Sequence, residues 1–200
     1  MGKLVDLAIS AVARHLSVTR VELAGSRSRG TNEDLADWDF AVTTSDFALL
    51  ARDLPTLVEP LKPLGALWEP LGHFPVYTLV LRGPTMVEYL FLDHQQVAKP
   101  PVTPSKEALP AIETHFWQWL WWLATKASVG HDDLVDRHWP VMYRHLLEPI
   151  GVDTVPDGIE SAMRAFDVHR DVLERQYGVQ VSRALEREVR RGIRRLGYDM

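Results

Sequence analysis

A mixed α/β half followed by an all-helical half is the architecture this sequence predicts. Three observations carry that expectation. Short β-branched runs alternate with helix-period segments as far as about residue 92, and no strand pattern follows Pro110. Pro100, Pro101, Pro104 and Pro110 crowd the passage between the halves, as chain boundaries do. The chain has 200 residues, enough for one large domain or two small ones. The expected division is a small mixed-sheet α/β (α+β) domain at 1–104 and a helical bundle at 105–200.

Each element follows from its own pattern. Leu4, Leu7, Ala8, Ala11 and Val12 recur at helical spacing and predict an amphipathic helix over 3–16. VTRVELAG (18–25) reads as a strand that closes on a glycine, and DWDFAV (37–42) as a second strand after a run of small and polar residues. SDFALLARDL (45–54) places Ser45 at the N-cap of a helix. VYTLVL (76–81), RGP and TMVEYLFL (85–92) spell strand, turn, strand: a β-hairpin. The second half predicts helices over 111–129, from about 131 with a bend at Pro140, over 158–176 and over 181–196. No internal repeat or low-complexity segment interrupts them.

Composition removes several function classes. The absence of cysteine excludes disulfides, thiolate catalysis and cysteine-ligated metals, and fits a cytoplasmic protein. The opening MGKLVDLAIS lacks the apolar core and cleavage site of a signal peptide, and Asp6 breaks the myristoylation pattern. The most apolar run, FWQWLWWLA, is far below the roughly 20 residues that span a bilayer. A formal net charge of −5 gives no general reason to expect nucleic acid as a partner. Neither a Gly-x-x-x-x-Gly-Lys-[Ser/Thr] phosphate loop nor a Gly-x-Ser-x-Gly elbow is present.

What stands out is a pair of aspartates on a strand. Asp37 and Asp39 are separated by one residue, so their carboxylates point to the same face of a strand. Like charges that close repel, and a cation is the usual compensation. Mg²⁺ suits the position, because it takes a few carboxylate oxygens and completes its shell with water and phosphate. Upstream, Gly25 allows close backbone approach, the Ser26 hydroxyl and nearby N–H groups suit phosphate oxygens, and Arg29 suits phosphate charge.

The segment GSRSRGTNEDLADWDF (25–40) resembles the signature of the DNA polymerase β-type nucleotidyltransferase superfamily: Gly-Ser, about ten residues, then Asp-x-Asp on the next strand. Ten residues separate Ser26 from Asp37 here. The GSRSRG tract is similar to small bacterial members, including aminoglycoside and lincosamide nucleotidyltransferases and minimal nucleotidyltransferases. The motif covers about 15 residues, and its helix–strand–turn–strand setting extends the likeness over roughly 1–95. The resemblance implies that Asp37 and Asp39 bind Mg²⁺ and that Gly25, Ser26 and Arg29 hold a nucleoside triphosphate, ATP first among them. It also implies a third carboxylate from a later strand, as a metal ligand or as the base for the attacking hydroxyl. Glu88 fits, since an unpaired charge inside an apolar run is costly; Asp93, at the strand end, is the competitor.

The helical half adds less. His115, Gln118 and Lys126 fall near one polar stripe of a helix that is otherwise apolar. In related two-domain enzymes a lysine on such a helix reaches the triphosphate, which makes Lys126 a candidate contact; a solvated lysine near a helix end is the alternative. Trp117, Trp119, Trp121 and Trp122 read as core before substrate platform. The acidic HDDLVD run reads as a helix start. The arginines of RALEREVRRGIRRL flank an apolar stripe of Leu185, Val189, Ile193 and Leu196, and so read as a solvated face. The resemblance implies AMP transfer from ATP to a hydroxyl of a small-molecule acceptor such as an aminoglycoside-like antibiotic. A protein acceptor of the toxin–antitoxin kind, an RNA acceptor, and a non-catalytic nucleotide-binding module remain the alternatives.

Overall fold

The computed structural model describes residues 2–31 and 35–198 and divides into two compact units, 1–99 and 100–200. The fold class is the mixed α/β one that the sequence predicts. The first unit runs α1 (Gly2–Ala13), β1 (Val18–Leu23), α2 (Gly25–Ser28), β2 (Trp38–Thr44), α3 (Phe47–Leu57), β3 (Gly65–Trp68), β4 (Val76–Val80) and β5 (Met86–Leu90). Its five strands form one sheet in the order β1-β2-β5-β4-β3. Only the β2–β5 pair is parallel; the others are antiparallel. The hairpin expected at 76–92 is β4–β5.

Alternation along the strands sorts side chains to two faces. Phe40 and Val42 of β2 and Tyr89 of β5 join Ala8 and Val12 of α1 and Leu50 and Leu54 of α3 in one core cluster. The Tyr89 hydroxyl donates to the Ala8 carbonyl at 2.9 Å, so the one polar atom of this buried ring is satisfied. The alternate residues Asp39 of β2 and Glu88 of β5 therefore share the opposite face.

Two local expectations are corrected. The first helix ends at Ala13 rather than 16, because the chain turns there and Val18 N–H donates to the His15 carbonyl. The cap of α3 is Asp46, whose carboxylate accepts from Leu49 N–H at 3.0 Å; Ser45 Oγ donates to the Ser17 carbonyl instead. An ionised acceptor is the stronger partner for an orphan helix N–H. The strand β3 was not legible in the sequence.

One polar cluster behind the sheet has the composition of a hydrolytic triad. His15 Nδ1 lies 2.9 Å from Ser17 Oγ, and His15 Nε2 lies 3.3 Å from Asp53 Oδ2. Ser17 is only 1% exposed, however, and its Oγ accepts from Thr44 Oγ1. A nucleophile must reach its substrate, so this trio serves as a strut joining the end of α1 to β1 and α3.

The second unit contains α4 (Leu109–Ser128), α5 (Asp132–Met142), α6 (Ile159–Tyr177) and α7 (Ala184–Arg195), with a π turn at Tyr143–Leu147. The α4 helix packs against α5, α6 and α7 and is buried around most of its circumference. Trp117, Trp119 and Trp121 are core, while Trp122 is half-buried against the His138 ring. Phe116 stacks on Phe166 at 3.8 Å between ring centroids. The predicted polar stripe is interior, with His115 and Gln118 only 4% and 5% exposed. Burial and the neighbouring His145 push the His115 imidazole down to about 3, which keeps it neutral.

Charged groups inside this unit are paired. Arg170 Nη1 donates to Glu186 Oε2 at 2.8 Å and lies 3.5 Å from Glu113 Oε2, and its Nη2 lies 3.1 Å from Asp167. Arg183 binds Glu174 at 2.7 Å, and Arg190 bridges Glu186 and Asp167. Two of the arginines expected in solvent, Arg183 and Arg190, are thus turned into the bundle. Arg187, Arg191, Arg194 and Arg195 are exposed. Among the described residues, no helix is long and apolar enough to cross a membrane.

Candidate functional site

The site is built on the sheet face opposite the core, where β1 gives way to a tight turn. β1 ends at Leu23, opposite Phe40, and Ala24 N–H extends the pairing by donating to the Asp39 carbonyl at 2.8 Å. Gly25 follows at φ +63°, a left-handed conformation that glycine adopts without strain. It also provides space: a Cβ there would sit 1.7 Å from Asp39 Oδ2. The Asp39 carboxylate therefore lies directly against the glycine turn. The two ends of the Gly-Ser…Asp-x-Asp pattern meet in space.

On the other side of β2, Asp39 is opposite Glu88 in the parallel ladder, and Glu88 is opposite Thr78 of β4. Thr78 is fully buried and its hydroxyl donates to Glu88 Oε1 at 3.1 Å, which fixes the carboxyl's orientation. Burial first, and then the charges of Asp37 and Asp39, push the Glu88 carboxyl up to about 8, with a further upward push from Glu69. Glu69 follows directly on β3; its Oε1 accepts from Leu71 N–H at 3.2 Å, and burial raises its carboxyl as well. The sheet thus gathers carboxyl groups on one face. Asp93 is exposed in the turn after β5.

Asp37 immediately precedes β2 rather than lying within it. The segment Ala36–Asp37 is held by Arg27 of α2, which donates to the carbonyls of both residues and covers the Trp38 ring at 4.0 Å. Ser26 is half-buried in the same helical turn, and Arg29 is the exposed residue that ends it. Lys126 belongs to the second unit, on α4, with its Nζ 5.8 Å from the Trp122 ring centroid.

Among the described residues, no group of three or more His, Asp or Glu side chains is close enough to hold one metal ion between them. The donor set nevertheless suits a hard divalent cation. Two carboxylates two residues apart supply oxygen ligands of the type Mg²⁺ takes, and Mg²⁺ commonly keeps only one or two protein carboxylates. After burial, the charges of Asp37 and Asp39 are what raise the Glu88 carboxyl, and a bound cation would relieve that part of the shift.

Thr78, Glu69 and Arg27 were missed by sequence reasoning. Thr78 carried no signal beyond its place in an apolar run. Glu69 sat outside any element read from the sequence. Arg27 lay inside the motif, but its neighbour Arg29 was the one assigned a role.

No protein-family pattern matches the chain, and no curated protein does. Among solved structures, four chains match. One is a crystal structure of an aminoglycoside 6-adenyltransferase from Bacillus subtilis: 9% identical, with a TM-score of 0.35, covering 98% of this chain and 97% of that one. A likeness that low carries neither a family assignment nor an activity.

Proposed function

We propose that the protein is a metal-dependent nucleotidyltransferase that moves a nucleoside monophosphate, AMP from ATP in the first instance, onto a hydroxyl of a small-molecule acceptor. The observation that carries the reading is the packing of Asp39 against Gly25, in register with Glu88. It joins a glycine–serine turn suited to phosphate with carboxylates suited to a cation. In the reaction the acceptor oxygen bonds to the α-phosphorus, the bond to the bridging oxygen breaks, and pyrophosphate leaves.

Asp37 and Asp39 would hold Mg²⁺, which when bound neutralises charge on the triphosphate. Gly25 and Ser26 offer backbone approach and a hydroxyl to the phosphates, and Arg29 offers charge. Lys126 is assigned to the triphosphate only on the likeness of its helix to one in related two-domain enzymes. Glu88, adjacent to the aspartates and held by Thr78, would take the acceptor's hydroxyl proton or share a second metal. In the metal-free protein the Glu88 carboxyl is held well above the usual carboxylate range, and the charge of a bound cation would lower it and free it for the first task.

The test is transfer of label from α-³²P-ATP, with Mg²⁺, to a panel of amino- and hydroxyl-bearing acceptors, followed alongside pyrophosphate release. Wild type should form labelled adduct and pyrophosphate in equal amounts. Glu88→Gln should slow the reaction by about a hundredfold to ten-thousandfold, the range for a positioned general base. Release of inorganic phosphate with ADP as product would point to a different chemistry and overturn the reading.

A further inference from the structure

We propose that Arg27 is the positioning residue of the carboxylate pair. It clamps the Ala36–Asp37 backbone so that Asp37 is presented beside Asp39. The inference rests on the nucleotide-site reading above and assigns Arg27 a role distinct from phosphate binding.

Three hydrogen bonds and one ring contact support it. Arg27 Nε donates to the carbonyl of Ala36 at 3.0 Å and to that of Asp37 at 3.2 Å, and Nη2 donates to the Ala36 carbonyl at 2.7 Å. The guanidinium carbon Cζ lies 4.0 Å from the centre of the Trp38 ring. These contacts fall where the sheet stops giving support. The ladder to β5 begins at Trp38, and the last bond toward β1 is the one from Ala24 to Asp39. The carbonyls of Ala36 and Asp37 lie ahead of that paired region, and Arg27 supplies donors to both. Each of these bonds ties down the segment that carries the Asp37 carboxylate. A metal-binding pair has to be held to within about 0.5 Å to act together.

The same contact links both halves of the motif. Arg27 stands two residues after Gly25, whose missing side chain accommodates Asp39, so a single turn of helix locates both aspartates: Asp39 by a gap and Asp37 by a clamp. Only arginine fits the role. Three donations together with the contact to the ring need the guanidinium fork; a lysine ammonium keeps the charge but cannot make that set. Arg27→Lys therefore separates a positioning role from an electrostatic one.

The experiment uses the full chain and Mn²⁺ as the probe. Free Mn²⁺ is counted by electron paramagnetic resonance with and without ATP, for wild type, Arg27→Lys, Arg27→Met and Trp38→Leu. Amide hydrogen exchange over residues 35–38 is followed without metal. The expected result is that both Arg27 variants hold Mn²⁺–ATP at least about tenfold more weakly, as loss of an outer-shell partner does, and exchange faster over 35–38. Trp38→Leu, which removes the ring beneath the guanidinium but keeps an apolar side chain in the core, should fall between them and wild type, and it carries the test if an Arg27 variant does not fold. A lysine variant that binds like wild type would overturn the proposal in favour of a charge effect. An Arg27→Met variant with unchanged exchange would overturn it outright. If wild type itself holds no Mn²⁺ with ATP, the nucleotide reading fails, and the exchange comparison still decides whether Arg27 is the clamp.

Discussion

At Gly25 the backbone takes φ +63°, and a methyl group there would fall 1.7 Å from Asp39 Oδ2. Gly25→Ala should therefore push the Asp39 carboxylate aside and weaken Mg²⁺–ATP binding by about tenfold or more, the scale of a displaced metal-site group. Gly30 is the control: its φ is +67°, but apart from its chain neighbours no atom of the described residues lies within 4 Å of where a Cβ would be. Gly30→Ala should incur only backbone strain, on the order of 1–3 kcal/mol, and leave binding intact. Equal effects of the two substitutions in calorimetry would refute the steric account. Glu88 makes a prediction about pH. Its folded carboxyl is pushed up to about 8 from an ordinary 4.5, so between those values the folded protein holds a proton that the unfolded chain has released. Stability of the metal-free protein should then fall as pH rises through that window and level off above it. Thermal melts from pH 4.5 to 8.5 should show a shallower fall in Glu88→Gln; identical slopes would place the Glu88 carboxyl in its ordinary range.

Hydrophobic period and turn residues made most elements legible. The β4–β5 hairpin and the four C-terminal helices stand where alternation or helical spacing puts them. β3 escaped because it is a four-residue edge strand, starting at a glycine and paired only with β4, too short for a period to show. In α4 the apolar pattern indicated a buried helix, but not that Glu113, His115 and Gln118 would be buried with it. The partner that makes Glu113 tolerable, Arg170, is 57 positions away on α6, and such pairings leave no local trace. At the site, the aspartates and the glycine–serine turn were readable because they are close in sequence. Thr78 was not, because its partner Glu88 is reached only through the hairpin register. The α4–α6 pair also yields a stability prediction. Arg170 is 5% exposed, and Arg170→Leu would strand Glu113 and weaken the hold on Glu186 and Asp167. Removing one partner of a buried ion pair costs roughly 3–5 kcal/mol. Burial already pushes the Glu113 carboxyl up to about 7, so it is easily neutralised, and Glu113→Gln should cost less than Arg170→Leu. Urea unfolding followed by tryptophan fluorescence orders the two; the reverse order would contradict this reading of the network.

At the scale of the molecule, the chain divides into units 1–99 and 100–200, each with its own buried core. The stretch from Gln95 to Pro101 has no regular structure and is largely exposed, with Val97 89% exposed. Brief digestion with a protease of broad specificity should cut there first and leave two resistant fragments by mass spectrometry; first cuts inside β4 or α4 would contradict the division. The central claim concerns the first unit: the face carrying Gly25, Asp37, Asp39 and Glu88 is a nucleotide site that works with a divalent cation. Calorimetric titration of ATP, GTP, CTP and UTP, with and without Mg²⁺, on wild type and an Asp37→Asn/Asp39→Asn double variant tests it most directly. The account predicts Mg²⁺-dependent binding of at least one triphosphate to wild type and its loss in a variant whose circular dichroism is unchanged. Binding that survives the double substitution, or no binding of any triphosphate at millimolar concentration, would contradict it.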